Sequence, residues 1–209
     1  MMVPPEGFNE DAADREVFPR YVPIAPAFHS LELGGPFTHC RICNRLLASM
    51  GQDYLIERIF RGSEPIVEYA MCVNCQSEVS AEMSEESMRN VQAFFEQIDF
   101  ERRMEKLWPC LAAVDDSQSD SRAIEPWIDR CVVTGSSRES CRGYQIVGLC
   151  SGNRMELSHL PLMLSSDAVE QIVKLMSKAT RDRLDEFMGD KFGMPPEFCE
   201  SPDFLPLLV

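Results

Sequence analysis

With 209 residues, 44% hydrophobic content and a formal charge of −14, the chain is long enough for one large domain or two small ones with real cores, and two are expected. No apolar run of about 18 residues occurs, and Met1-Met2-Val3-Pro4-Pro5-Glu6 lacks the basic and apolar regions of an export signal, so neither a membrane span nor secretion is expected. No segment is net basic, which speaks against nucleic acid held through its phosphates and points to another protein, or a second copy of the chain, as partner.

Residues 1–36 read as a proline-rich extended arm, with Pro4, Pro5, Pro19, Pro23, Pro26 and Pro36 and an acidic cluster from Glu10 to Glu16. Phe18, Tyr21, Val22, Ile24 and Phe28 are too many apolar residues for an ideal disordered linker. Two readings therefore stay open, a free arm and one lying partly across the folded body.

Residues 37–108 carry the strongest signal, the pairs Cys40/Cys43 and Cys72/Cys75 with 28 residues between them. Two residues between cysteines let the backbone curl so that both sulfurs meet one ion, and two such pairs complete a tetrahedron around Zn2+. Four thiolates leave no open position for water or substrate, so the ion would hold the fold and perform no chemistry. The chain's nine cysteines are an odd count, four of them have metal spacing, and reduced cytoplasmic thiols fit better than disulfides. His39 adjoins the first pair in sequence and either replaces a cysteine ligand or flanks the site, the second being the favoured reading.

Between the pairs, Tyr54–Phe60 and Ile66–Met71 read as strands joined by a turn at Arg61–Pro65, and a helix from Gln76 to Met83 follows Cys72 and Cys75 directly. Knuckle, hairpin and ligand-bearing helix in this order resemble the treble-clef zinc finger over about residues 38–83. The resemblance implies an architecture with a structural metal, and no particular activity. Ser84 with Glu85 and Glu86 predicts a new helix start. That helix is expected to run to Trp108, bury Met88, Val91, Phe94, Phe95, Ile98, Met104 and Leu107, and stop at Pro109.

Residues 109–126 read as an interdomain linker, and residues 127–209 as a second copy of the same design. Met83-Ser84-x-x-Ser87 with Phe94 matches Met176-Ser177-x-x-Thr180 with Phe187 at an offset of 93. Tyr54, Ile56 and Gly62 match Tyr144, Ile146 and Gly152 at an offset of 90, Cys40 matches Cys131 at 91, and Asn44 corresponds to Gly135. The ligand positions of the second copy become Cys131, Thr134, Ser165 and Ala168, so this half lacks a complete set. Val169, Ile172, Val173, Met176, Leu184 and Phe187 would replace the ion by packing, and Asp167 with Glu170 would cap the helix that carries most of them. A competing reading gives this half its own metal through Cys131, Cys141, Cys150 and His159, although their spacings fit no familiar ligand pattern.

No catalytic residue is assigned. Gly148-Leu149-Cys150-Ser151-Gly152 has the form of a nucleophile elbow, but the sequence after it favours a hairpin turn at Ser151–Asn153. Cys150 with His159 is a thiol and base whose proximity cannot be read from spacing. His29 has no evident partner. The apolar end, Ser201–Val209, is expected to pack on its own domain or enter a groove of a partner.

The expected fold class is α+β, with tandem treble-clef-like modules of β-hairpin plus helices. The expected role is a zinc-binding adaptor or scaffold and not an enzyme. The alternatives are an enzyme of unfamiliar type using cysteines and histidine of the second half, and nucleic-acid binding through a local basic face.

Overall fold

The computed structural model describes residues 20–49, 51–112 and 121–192. The first 19 residues of the arm, residues 113–120 of the linker and the apolar end lie outside these residues. The described chain is a mixed α+β fold, an antiparallel sheet of six strands with six helices. The strands are β1 (Arg20–Pro23), β2 (Asp53–Arg61), β3 (Glu64–Cys72), β4 (Gly143–Ser151), β5 (Arg154–Leu157) and β6 (Leu162–Ser165). The helices are α1 (Val73–Ala81), α2 (Glu85–Phe95), α3 (Phe100–Ala112), α4 (Ser121–Ile128), α5 (Ser166–Leu175) and α6 (Lys178–Phe192). The sheet order is β1-β5-β4-β2-β3, with β6 also pairing β4.

The two expected hairpins, β2 with β3 and β4 with β5, thus share one sheet. They join through nine residue pairs between β2 and β4, from Asp53 opposite Ser151 to Arg61 opposite Gly143. Glu57 sits opposite Val147, which is its own match at the offset of 90. On either side Tyr54 pairs with Cys150 and Phe60 with Tyr144, so the pairing is symmetric about that middle residue. The turns repeat the symmetry. Gly62 N–H donates to Arg142 O at 2.7 Å, and Gly152 N–H donates to Gln52 O at 3.1 Å, positions again 90 apart. An approximate two-fold axis therefore passes between Glu57 and Val147.

A second contact obeys the same axis among the helix caps. Ser84 N–H donates to Thr180 Oγ1 at 3.0 Å while Ser177 N–H donates to Ser87 Oγ at 2.9 Å. Ser87 and Thr180 are fully buried and their hydroxyls lie 3.1 Å apart. The hydroxyls of Ser84 and Ser177 cap their own helices by accepting from Ser87 N–H and Thr180 N–H at 3.2 Å each, while those of Ser87 and Thr180 satisfy the other half's backbone, which explains why polar groups are tolerated there. One contiguous core runs from Val22 to Phe192 through both halves, with Trp127, Tyr54, Phe28, Ile56 and Met155 among its largest fully buried side chains.

The offset grows from 90 in the hairpins to 93 in the helices because the second half carries a local insertion. Where β3 runs unbroken, its counterpart is divided into β5 and β6 by Ser158–Pro161, with a cis peptide before Pro161. Arg103 from α3 holds this segment, its guanidinium donating to the carbonyls of His159 at 2.8 Å, Pro161 at 2.9 Å and Trp127 at 3.0 Å.

The described part of the arm lies across both halves. β1 pairs with β5, and Phe28 packs over Gly148, where a Cβ would come within 3.0 Å of its ring. Arg58 of β2 donates to Ala27 O at 2.7 Å, and Glu68 of β3 accepts from Ser30 Oγ at 2.9 Å and Leu31 N at 2.7 Å.

Three expectations need correction. The helix from Ser84 to Trp108 is two helices, because the Asp99 carboxylate accepts from Arg102 N–H at 2.8 Å and starts α3 afresh. Met88 lies on the solvent side of α2, 37% exposed, and not on the buried face. Pro109 does not end α3, which continues to Ala112; Pro109 and Glu105 both face water, so the carbonyl that loses its partner is not sealed in the core.

A candidate metal centre and its counterpart

Cys40 and Cys43 sit on a knuckle before β2, Cys72 ends β3 as the N-cap of α1, and Cys75 stands in the first turn of that helix. The knuckle is closed by Cys40 N–H donating to Arg45 O at 2.8 Å and by Asn44 N–H donating to Cys40 O at 3.0 Å. Asn44 has φ 55°, the left-handed region that asparagine tolerates better than most residues. Arg41 N–H donates to Ala70 O at 2.8 Å and fixes the knuckle beside the end of β3.

The four sulfurs lie within 4.8 Å of one another, so these cysteines could hold a metal ion. A tetrahedral ion with sulfur bonds of about 2.3 Å requires sulfurs about 3.8 Å apart. Cys43 Sγ and Cys72 Sγ are 3.7 Å apart, which fits. The Cys72 amide donates to Cys40 Sγ at 3.4 Å. Burial pushes the Cys40 thiol up, but amides of Cys43, Cys72 and Ile42 with the Cys43 side chain outweigh it and bring Cys40 down to about 7. Burial pushes Cys72 and Cys75 up; at Cys75 the thiols of Cys72, Cys43 and Cys40 add to it, while at Cys72 the amide and thiol of Cys75 oppose it without reversing it. The arrangement thus favours one thiolate by itself, and a cation is what would let all four ionise together.

The second half reproduces the backbone of this centre. Cys131 N–H donates to Ser136 O at 2.9 Å, Gly135 N–H to Cys131 O at 2.9 Å, and Val132 N–H to Met163 O at 2.9 Å. Gly135 takes φ 71° where Asn44 takes 55°. Ser165 ends β6 and is the N-cap of α5, as Cys72 is of α1, and its hydroxyl accepts from Ala168 N–H at 3.3 Å. This corrects the expected cap: Asp167 lies inside the first turn, and Glu170 pairs instead with Arg142 at 3.0 Å and Lys174 at 3.7 Å. Val169, Ile172, Met176 and Leu184 are buried as expected, while Val173 and Phe187 are partly so.

The competing ligand set is not gathered. Among the described residues, the first-half cysteines are the one group of three or more histidine, cysteine or acidic side chains with ligand atoms close enough for an ion. Cys141 Sγ lies 3.2 Å from Ser137 O, Cys150 is buried in β4, and the His159 ring meets Phe100 edge-on at 5.2 Å. Gly148–Gly152 forms the end of β4 and a hairpin turn, as expected, and no elbow into a helix. His39 is outside the sulfur cluster with Nδ1 3.0 Å from Thr38 Oγ1, and His29 Nε2 lies 2.9 Å from Ile24 O. Sequence reasoning missed Arg103 and the Ser158–Pro161 segment it holds, although the change of offset from 90 to 93 marked an insertion. No helix is long and apolar enough to cross a membrane among the described residues.

Comparison of the chain with protein-family models, curated proteins and solved structures finds no match.

Proposed function

We propose that the chain is a zinc-stabilised protein-interaction module of the cytoplasm, an adaptor or scaffold and not an enzyme. It would consist of two treble-clef-like modules joined through one sheet, the second without a complete ligand set. Cys40, Cys43, Cys72 and Cys75 would hold Zn2+. The observation that carries this reading is the four-sulfur cluster with a 3.7 Å sulfur separation between its two pairs. A shell of four sulfurs suits zinc or an iron–sulfur centre, and a closed zinc shell cross-links the knuckle to α1 without catalysing anything. The need for reduced thiols supports a reducing compartment.

The adaptor part of the reading is supported by apolar surface on the first half. Leu31, Leu33 and Leu46 are 64%, 56% and 49% exposed. A cleft of 710 Å³ nearby is lined by Leu33, Phe37, Ile66, Val67 and Phe192 together with polar groups that include Glu32, Thr38, Arg41 and Glu68. Apolar area of this kind is kept exposed where another protein covers it.

Elemental analysis of the purified chain tests the metal, with about one zinc per chain expected and none after Cys72→Ser with Cys75→Ser. Iron in place of zinc, or a folded chain without metal, would sink the reading. Cross-linking of the full chain against a Leu31→Ser, Leu33→Ser variant tests the partner. A protein or second copy captured equally by both would place docking elsewhere.

A further inference from the structure

The two cradles can be compared atom by atom. In the first, the Cys72 amide donates to Cys40 Sγ at 3.4 Å; in the second, the Ser165 amide donates to Cys131 Sγ at 3.3 Å. Where Cys43 Sγ and Cys72 Sγ are 3.7 Å apart, Thr134 Oγ1 and Ser165 Oγ are 3.4 Å apart. Cys131 Sγ also receives the Thr134 amide at 3.4 Å and the Ser165 hydroxyl at 3.4 Å. Cys131, Ser165 and Ala168 are all buried. Knuckle and helix start are thus tied by hydrogen bonds converging on one sulfur, at the place where four sulfurs meet in the first half.

We infer that Cys131, Thr134, Ser165 and Ala168 are the vestige of a second metal site, whose cradle keeps its shape without an ion and takes a tetrahedral divalent cation once thiols return to three positions. The inference rests on the proposed metal binding by the first centre. Three features carry it. The left-handed knuckle residue, the amide aimed at the first sulfur and the N-cap at the third ligand position are all retained, and these are the backbone requirements of the site. Thr134 Oγ1 and Ser165 Oγ still face each other, at 3.4 Å against 3.7 Å for the matching sulfur pair, so the two ligand positions remain directed at one another. Ala168 offers a Cβ in the first turn of α5 at the position that Cys75 holds in α1. Binding would release protons from the new thiols to solvent and form metal–sulfur bonds without any redox step.

The test is cobalt(II) titration of the full chain under reductant, following sulfur-to-cobalt charge-transfer absorption and the metal bound per chain. The Thr134→Cys, Ser165→Cys, Ala168→Cys variant should bind about two ions against about one in the parent. The same changes combined with Cys72→Ser and Cys75→Ser should leave about one. A folded triple variant that stays at the parent's stoichiometry and absorbance would overturn the inference. If the triple variant does not fold, Thr134→Cys with Ala168→Cys keeps the Ser165 cap and still offers three sulfurs. An added cobalt signal there supports the cradle, and no added signal overturns it. A parent that binds no cobalt would overturn the first-centre reading separately, while the gain in the variants would still report on the second cradle.

Discussion

The two knuckles have nearly the same backbone and opposite chemistry. At Cys40 four sulfurs face one another; at Cys131 a single sulfur meets the Ser165 hydroxyl, which in turn meets that of Thr134. Turn, strand end and helix cap therefore do not need the ion for their geometry. What differs is the linkage between them, which is metal–ligand bonding in one reading and a small hydrogen-bonded cluster in the other. Structural zinc contributes about 10–16 kcal/mol in isolated finger peptides, whereas one buried hydrogen bond contributes about 1 kcal/mol. Ile172, Met176 and Leu184 have buried apolar counterparts in Val79, Met83 and Val91, whereas Val169 is buried where the first half has Gln76, so at this position the second half holds additional apolar packing.

The comparison breaks most visibly if the metal is taken away. Chelation, or Cys72→Ser with Cys75→Ser, is expected to cost most of the chain's stability, read as a fall in Tm by calorimetry, since zinc at such a site approaches the whole stability of a domain. The same chelator should add nothing to the effect of changes at Ser165. Replacing Ser165 by Ala removes a helix cap and a donor to Cys131 together, and should cost about 2–3 kcal/mol in denaturant unfolding with or without metal. A loss below about 0.5 kcal/mol would mean that the cluster does not tie the second knuckle.

A pH series sharpens the contrast at Cys150, which pairs opposite Tyr54 in β4. Burial pushes this thiol up, with the Tyr54 hydroxyl opposing only weakly. Its folded pKa lies above the unfolded value of about 8.5, so the unfolded chain loses the proton first and stability falls as pH rises past that value. This one group contributes a slope of about 1.4 kcal/mol per pH unit. Cys150→Ala begins less stable but should lose stability less steeply above about pH 8.5. Equal slopes for variant and parent would dismiss the effect.

The smallest expected effect is a gain. Gln145 is buried in β4, and neither atom of its side-chain amide has a hydrogen-bond partner among the described residues; its match in the first half is the buried Leu55. Gln145→Leu should raise stability by about 1–2 kcal/mol, the cost of an unpaired buried amide. A loss instead would show that the Gln145 amide contributes to stability and would overturn this expectation.

Much of the first half was legible because its signals are local. Cysteine spacing, the alternation from Tyr54 to Phe60, the turn at Gly62 and the cap at Ser84 each act within a few residues of one another. The break at Asp99 was hidden by apolar spacing that carries on across it, and Met88 fell on the wrong face for the same reason. In the second half, Asp167 and Glu170 imitated a capping box, but Ser165 wins because it already closes the strand that precedes the helix. The β2–β4 register was not legible in the sequence, since no local pattern says which strand a strand will meet. The repeat offsets nevertheless held its trace, as Glu57 opposite Val147 is the pairing that an offset of 90 places on an axis.

Two strands that meet about an axis through their own equivalent residue make the contact by which identical subunits close into a pair. Here one covalent chain supplies both partners, so their meeting no longer depends on concentration. In a pair of separate identical subunits every substitution appears twice, and a lost cysteine would empty both sites at once. A single chain is free of that constraint. One half can carry hydroxyls where the other has four sulfurs, which gives a nearly symmetric sheet one end able to hold a metal ion and one end without the thiols for it.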